Sequence, residues 1–367
     1  MANTKLTSIE AICIILSVFA AHTLVSLPKA LIDVTKSATI LNLLMVGIIV
    51  ILFIFLVLKL LKAFPGLDII DISDYLGGKV FQKIVGIIFI CYFSFSSSIL
   101  LRNFCECLKI VYYPMTSILF LLVTFIIAVS IVGHFNFKST AKVNLIIIPL
   151  TLISVLFIFF SNLRNFTLEN MYPIFGEGLF QTFILGLGNL GAFGGISIIY
   201  FLPNLLKKPE DLKKVSMVSI IIAIVYLILS IAIILFMFSS LIEIDKIMPL
   251  YSAARNIEFG SFFQRLESIF LLVWIMQIAC YLSINFSFCI YIFKKITKIE
   301  DGKKIILPYS IFLFSLALLP NNYAISSFLE TKVYPYLVIG IVFVLSFLIL
   351  LLGFLKKNKK RKVTYDE

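Results

Sequence analysis

The sequence predicts an all-α polytopic membrane protein with ten transmembrane helices. Of its 367 residues, 61% are hydrophobic and only 14% are charged, and the mean hydropathy is +1.11. A water-soluble domain cannot bury so large an apolar surface. Runs of about 20 apolar residues cross a bilayer as helices, and ten such runs are centred near residues 18, 48, 92, 123, 152, 190, 226, 278, 312 and 343. Residues 1–367 are therefore expected to form a single membrane domain.

The distribution of basic residues predicts that both termini are cytoplasmic. When successive loops are assigned to alternate sides, 22 of the 31 Lys and Arg residues fall on the side of the termini, which is the pattern of the positive-inside rule. The net charge of +12 follows mostly from this bias, and it includes a basic tail at residues 356–367. Because the tail follows a last membrane helix, we interpret it as an anchor for anionic lipid in preference to a nucleic-acid site.

A short sequence pattern that occurs twice, which we call the internal echo, predicts that the ten helices form two related halves, residues 8–161 and 178–355. The first run of each half is followed by the pattern L-P-x-x-L, in "SLPKAL" at residues 26–31 and in "FLPNLL" at residues 201–206. Helices that lie five apart in the chain run in opposite directions through the membrane. The echo therefore predicts an inverted five-plus-five repeat, with a ligand site at the midplane where the paired first helices are broken.

The sixth run contains an unusual cluster of glycines. Five of the 17 glycines lie between Gly186 and Gly195, although glycine normally weakens a helix. One interpretation is a helix that unwinds in the membrane and offers its N–H and C=O groups to a ligand. The other is close helix packing through the GxxxG pair Gly191 and Gly195. Five glycines together with Asn189 exceed what one packing contact requires, which favours the broken helix.

Ionisable residues inside a membrane are costly and therefore mark candidate sites. Arg102 and Glu106 are four residues apart near the end of the third run, and Arg265 and Glu267 open the eighth. We interpret both pairs as structural ion pairs close to a membrane interface. His22 lies at the centre of the first run, where it either relays protons or, as we favour, is a neutral imidazole with one hydrogen bond. No carboxylate is expected near the pocket.

Two further pairs of polar residues share helix faces that could line a cavity. Tyr92 and Ser96 are four residues apart in the third run, and Tyr281 and Asn285 have the same spacing in the eighth. Each residue alone is ordinary in a large helical bundle. Their convergence with the two predicted helix breaks is what indicates a pocket.

No motif of a familiar enzyme or metal site is present. The sequence has no Walker A loop, no HExxH and no nucleophile elbow, and its six cysteines show no CxxC spacing. We therefore predict no enzyme activity, no cofactor and no metal. The acidic loop before the third run places Asp68, Asp71 and Asp74 at i,i+3 steps, which predicts one solvated side of an interfacial helix.

Several local stretches follow one another in a characteristic order. They are "SLPKAL", "YLGGKVFQKIVG", "LLRNFCECLK", "YPIFGEG" and "FLPNLLKKPE". The most specific is "FFQRLESIFLLVWIMQ" at residues 262–277. By their order and spacing, nearly the whole chain resembles the spore germination permease family. This family comprises the B subunits of nutrient germinant receptors, within the amino acid/polyamine/organocation superfamily.

The resemblance implies a LeuT-like fold and a sensor in the spore inner membrane. Such a sensor binds a small nutrient, often an amino acid, in a central cavity and signals germination to an A subunit and a lipoprotein C subunit. The implied pocket is lined by Ala21, His22 and Thr23, by Tyr92 and Ser96, by Asn189, Gly191, Phe193, Gly194 and Gly195, and by Tyr281 and Asn285. Two departures matter: family members often have glycines where this chain has "AAHTL", and many have a glutamate where Ser197 stands.

Two other functions are compatible with the same fold. One is a secondary active amino-acid permease coupled to H⁺ or Na⁺, and the other is a conduit for ions or water. Coupling to protons usually needs a carboxylate in mid-membrane, so its expected absence favours the sensor. The outer loop at residues 241–263 is a candidate contact with a partner subunit.

Overall fold

The computed structural model describes residues 5–135, 137–238, 248–257 and 267–363. Within these ranges the chain is almost entirely helical, and its only extended pairing is a single bridge between Leu6 and Leu206. The helices are α1 (Ser8–Leu24), α2 (Leu27–Thr35), α3 (Thr39–Leu61), α4 (Ile69–Val111), α5 (Ile118–Gly133), α6 (Phe137–Ser161), α7 (Leu179–Phe183), α8 (Leu202–Leu205), α9 (Leu212–Met237), α10 (Pro249–Arg255), α11 (Glu267–Thr297), α12 (Lys303–Leu318), α13 (Tyr323–Phe328), α14 (Tyr334–Leu337) and α15 (Ser346–Val363).

Three longer segments of non-α helix lie between these α-helices. The glycine-rich helix, Leu185–Tyr200, is a 3₁₀ helix between α7 and α8. Two π-helical segments, Leu329–Val333 and Val338–Leu345, connect α13, α14 and α15. Because these segments follow one another without a gap, residues 323–363 form one continuous helix, which we call the last helix.

The described residues contain seven helical segments that are long and apolar enough to cross a membrane. Two shorter apolar helices, α1 and α5, accompany them. The prediction of an all-α polytopic membrane protein is therefore confirmed. Each of the ten predicted centres falls within a helix, and both the count of ten spans and the inverted repeat stay predictions.

Helix α1 is the central element of the bundle. It contacts α6, α9, α11 and the glycine-rich helix, and every residue from 13 to 24 is buried. A helix that is apolar on all sides is expected to be buried in this way. The helix begins at a capping box, in which the Thr7 N–H donates to the Glu10 carboxylate over 2.7 Å.

Both L-P-x-x-L motifs begin a new helix after an interruption. Helix α1 ends at Leu24, and Pro28 lies in the first turn of α2. The glycine-rich helix ends at Tyr200, and Pro203 lies in the first turn of α8. Proline fits this position because the first N–H groups of a helix have no partner within it. The sequence echo thus has a physical counterpart in each half of the chain.

The acidic segment before α4 is packed into the protein, so the prediction of a solvated side is wrong for Asp68. This residue is fully buried and caps α4 by accepting from the N–H groups of Ile70 and Asp71. Helix α4 then bends at Gly78, whose φ of +73° is strained for other residues. The bend separates the first two turns of α4 from the long apolar part that follows.

Lysines from distant parts of the sequence meet at one end of the bundle, which we call the basic end. Lys357 donates to the carbonyl of Ala63 at the end of α3, and Lys356 donates to the carbonyl of Tyr75 in α4. Lys5 donates to the carbonyl of Asn204 in α8. The first two lysines of the basic tail therefore bind this chain itself.

The loop predicted to contact a partner is described only in part. Within the described residues 248–257, Pro249–Arg255 forms α10, which packs on α9 and α11. The carbonyl of Ala253 accepts a hydrogen bond from Asn162. Residues 241–247 and 258–263 lie outside the described residues, so partner contact by this loop stays a prediction.

Candidate ligand site in the bundle centre

A chain of hydrogen bonds connects four helices, namely α1, α4, α11 and the last helix, around His22. The Nδ1 atom of His22 lies 3.1 Å from Oε1 of Glu330, and its Nε2 atom lies 3.1 Å from the hydroxyl of Tyr281. The same hydroxyl lies 2.6 Å from Oγ of Ser96. All four residues are at most 4% exposed. The cluster lies at the C-terminal end of α1, three residues before the helix break.

Glu330 is held on its other side by a second pair of polar residues. Its Oε2 atom accepts a hydrogen bond from the amide of Asn103 in α4, and the Oδ1 atom of Asn103 accepts one from Ser326 in the last helix. Glu330 lies on the π-helical segment Leu329–Val333. Pro335 follows it and has no N–H to donate, which disturbs regular α-helical bonding in the preceding turn.

The atom distances in the cluster are compatible with more than one arrangement of its protons, and one of them leaves a net charge. With a neutral His22, Ser96 donates to Tyr281, Tyr281 donates to Nε2, and the Nδ1–H group donates to an ionised Glu330. This arrangement carries one unbalanced negative charge, which is costly inside a membrane. One further proton, on Glu330 or on His22, makes the cluster neutral, and a cationic group of a ligand beside an ionised Glu330 does the same.

Tyrosine rings enclose the imidazole. The ring of Tyr334 stacks on His22 with centroids 4.5 Å apart and an interplanar angle of 14°. The ring of Tyr281 meets it edge-on, with centroids 5.2 Å apart. Tyr92 lies parallel to Tyr334 and donates a long hydrogen bond of 3.4 Å to the carbonyl of Gly194. The glycine-rich helix therefore touches the wall of the cluster.

The glycine-rich helix is both irregularly wound and closely packed, and the binding of a ligand by its backbone groups stays a prediction. It is wound as a 3₁₀ helix over 16 residues, far beyond the usual few, and its backbone is non-helical at Phe193, where φ is −96° and ψ is 34°. It also packs closely: a Cβ atom at Gly191 would lie 2.2 Å from Pro335, and one at Gly195 would lie 2.4 Å from the ring of Phe19. Irregular winding and close packing occur together.

The structure brings together only part of the predicted pocket. His22, Tyr92, Ser96, Gly194 and Tyr281 meet in the cluster. Asn285 lies one helical turn beyond Tyr281 and donates to Ser97 over 3.1 Å. Its buried Oδ1 atom has no hydrogen-bond partner within the described ranges. Ala21 is buried on α1 beside His22.

Other predicted pocket residues have different partners. Asn189 donates to the Oδ1 atom of Asn42 in α3 over 2.7 Å, and Thr23 donates to the carbonyl of Phe19 in its own helix. Phe193 packs edge-on against Phe19, with centroids 5.7 Å apart. Gly191 and Gly195 are packing positions, as described above. None of these side chains makes a direct hydrogen bond to the His22 cluster.

The sequence interpretation missed Glu330, and the expectation that no carboxylate lies near the pocket is wrong. The favoured state of His22, an imidazole with one hydrogen bond, is also wrong because both ring nitrogens have partners. Glu330 precedes the tenth apolar run by several residues, so hydropathy assigns it to a loop. The available signal was Pro335, because a proline inside a helical stretch disturbs the preceding turn.

The ion pairs predicted from helical spacing have separate outcomes. Arg102 and Glu106 form an ion pair with Nη2 and Oε1 2.8 Å apart, and Arg102 also donates to the carbonyl of Ala317. This pair is balanced, so it does not neutralise Glu330. Arg265 lies outside the described residues, and its pairing with Glu267 stays a prediction.

A second polar cluster closes the basic end. Lys295 on α11 lies 2.5 Å from Asp68 and 2.6 Å from Asp71. Tyr291 donates to Asp68, and Asn204 donates to Tyr291 over 2.8 Å. This cluster joins the start of α4, the end of α11 and α8. Because α8 continues the glycine-rich helix, the cluster connects the basic end to the interrupted helix.

These features define a class of protein: an α-helical integral membrane protein with a buried ionisable centre between interrupted helices. Comparison with known proteins assigns the family. A family model described as "Spore germination protein" matches residues 5–325. The chain therefore belongs to the spore germination protein family, which is of permease type and is not a known enzyme family.

Relatives from Bacillus subtilis (strain 168) have the same description. Spore germination protein A2 is 26% identical over 277 residues, which cover 74% of this chain and 75% of the relative. Spore germination protein YndE is 23% identical over 77% of this chain and 79% of its own length. Spore germination protein B2 is 24% identical and covers 76% of both. The predicted family is thus confirmed.

Proposed function

We propose that this protein is the nutrient-sensing membrane subunit of a spore germinant receptor. It binds a small molecule with an ammonium group, most simply an amino acid, at the His22 and Glu330 cluster. Binding is passed to the A and C subunits of the receptor in the spore inner membrane, with both termini cytoplasmic. Family membership supports the receptor role, and the unbalanced carboxylate of Glu330 supports a cationic group on the ligand.

The surroundings of the cluster also suit the other end of an amino acid. Helix α2 begins at Leu27, directly after the break, and its first N–H groups have no partner within the helix. Such a helix start favours a carboxylate. The hydroxyl of Ser26 at the break and the Oδ1 atom of Asn285 are both buried, and neither has a hydrogen-bond partner among the residues that the structure describes. These atoms are available to a polar ligand.

Signalling requires that the ligand bind one of two states more tightly than the other. The two helix breaks provide positions at which such states can differ. The Lys295, Asp68 and Asp71 cluster stabilises the state seen here, because it holds α4 and α11 together at the basic end. We propose that nutrient binding shifts the balance between this state and one in which the basic end is rearranged.

A proton-coupled permease is the second candidate, and one observation favours it. The sequence argument against it was the lack of a carboxylate near the pocket, and Glu330 supplies a buried carboxylate beside a histidine. A proton on His22 balances the cluster as well as a ligand does. Binding and uptake must therefore be measured separately.

The test is binding of radiolabelled amino acids to the purified full chain in lipid nanodiscs. Glu330→Gln keeps the size of the side chain and removes its charge, and hydrogen bonds to charged groups contribute about 1.5–3 kcal/mol. We expect the Kd of the bound amino acid to rise roughly 10- to 150-fold. Glu177→Gln is the matched control, because Glu177 is exposed and its change should leave the Kd unaltered.

Three outcomes contradict the proposal. If no amino acid binds to the unaltered chain, the nutrient site lies elsewhere in the receptor. If Glu330→Gln binds as tightly as the control, the ammonium group does not meet Glu330. If proteoliposomes accumulate the amino acid when a proton gradient is imposed, and Glu330→Gln abolishes this uptake, the permease is the better description.

A further inference from the structure

A surface cavity at the basic end combines apolar walls with a basic rim. It has a volume of about 580 Å³ and lies between the end of α3 and the segment that connects α8 to α9. Its apolar walls are formed by Phe55, Leu58, Phe64, Pro203 and Leu212. Three lysines also line it, namely Lys59, Lys62 and Lys213, together with one acid, Glu210.

The three lysines give the cavity an unbalanced positive charge. Each is exposed, and none has an ion-pair partner in the parts of the chain that the structure describes. The ammonium group of Lys213 lies 5.8 Å from the centre of the Phe55 ring, which holds it over the cavity wall. Lys295, which lines a neighbouring cavity of about 500 Å³, already has two aspartate partners.

An exposed apolar stripe leads along α3 to this cavity. Leu44, Ile48, Leu52 and Phe55 are 49 to 62% exposed and follow one another at steps of three or four residues. They therefore lie on one face of the helix, and Lys59 continues the same row. The distance from Leu44 to Phe55 along the helix is about 16 Å. One leaflet of the hydrocarbon core is about 15 Å thick.

A neighbouring helix borders the stripe. Helix α9 packs against α3 where Gly47 faces Ile224, and a Cβ atom at Gly47 would lie 3.1 Å from that side chain. Ile221 and Val225 on α9 are also exposed, and Lys213 lies in the same row at steps of four. Two apolar rows on adjacent helices thus converge on one basic cavity.

We propose that this cavity binds the headgroup of an anionic phospholipid whose acyl chain lies along the α3 stripe. The phosphate meets Lys59, Lys62 and Lys213, and the apolar walls receive the glycerol backbone. Basic pockets between membrane helices at the cytoplasmic side bind anionic headgroups by this combination. The cavity borders α8, so the bound lipid contacts the segment that follows the glycine-rich helix.

The test uses the full chain in nanodiscs made of equal parts phosphatidylglycerol and phosphatidylcholine. Native mass spectrometry counts the phospholipids that remain bound to the protein after it is released from the nanodisc. The triple variant Lys59→Gln, Lys62→Gln and Lys213→Gln should bind phosphatidylglycerol on the order of a hundredfold more weakly, since each lysine near a surface contributes about a fivefold change. The control carries Lys207→Gln, Lys208→Gln and Lys214→Gln, which remove the same charge from exposed lysines outside the cavity lining.

The proposal requires that the control retain phosphatidylglycerol and that phosphatidylcholine bind weakly to every variant. If the control loses as much phosphatidylglycerol as the cavity variant, the lipid is attracted to basic residues in general, and the proposal is overturned. It is also overturned if the unaltered chain retains phosphatidylcholine as well as it retains phosphatidylglycerol. Displacement of the lipid by inorganic phosphate also overturns it, because the cavity would then be a site for a free anion. A variant with arginine at the three cavity positions checks folding, and it should retain the lipid.

Discussion

Substitutions at two glycines of the glycine-rich helix test whether its close packing contributes to the stability of the protein. An alanine at Gly191 places its Cβ atom 2.2 Å from Cβ and 2.5 Å from Cα of Pro335. Carbon atoms prefer separations of about 3.5–4.0 Å, and the proline ring cannot rotate away. At Gly188, three residues earlier, the described part of the chain places no atom from outside the neighbouring backbone within 4 Å of the added Cβ.

The two variants should therefore have opposite effects on the free energy of unfolding. Gly191→Ala overpacks the contact with the last helix and should lower it by about 1–3 kcal/mol. Gly188→Ala removes the backbone entropy of glycine at no steric cost and should raise it by about 0.5–1 kcal/mol. Unfolding in sodium dodecyl sulfate can be followed by the fluorescence of Trp274, the single tryptophan. If Gly191→Ala is as stable as Gly188→Ala, the packing argument fails.

Two further variants test the placement of polar residues. Asn189→Ala removes the donor to Asn42, so it should lower the free energy of unfolding by about 1–3 kcal/mol without changing the Kd for the amino acid. A higher Kd at unchanged stability would show instead that Asn189 contacts the ligand. Asp68→Asn keeps a capping side chain but removes the buried partner of Lys295, so unfolding should become easier by about 1.5–3 kcal/mol. Asp74→Asn alters the partly exposed pair with Lys79 and should cost at most about 1 kcal/mol. Equal effects of the two aspartate variants would contradict the role given to Asp68.

The amino acid expected at the site has to enter a cluster that is already closed. His22, Tyr281 and Tyr334 pack against one another, and Glu330 is bonded on both oxygens. A ligand ammonium group can replace the His22 contact to Glu330 only if the rings move. This requirement makes ligand binding and conformational change one event, which is what a sensor needs.

Composition and hydropathy predicted the class of protein because both are local properties of the chain. Apolar runs of the required length are visible without knowledge of their partners, and the described helices contain all ten predicted centres. The Leu-Pro motifs likewise marked helix starts, since proline restricts the backbone at its own position. The spacing of Arg102 and Glu106 indicated their contact because both lie on one helix.

The tertiary structure decided which polar residues meet. His22 and Glu330 are separated by 308 positions in the chain and Asn103 and Glu330 by 227, so no local pattern connects them. Asn189 lies in the predicted helix, yet its side chain points to Asn42, because the direction of a side chain depends on how the helix is wound and packed. The sequence determined that a membrane bundle forms with interrupted helices. Packing alone determined that a buried carboxylate lies at its centre.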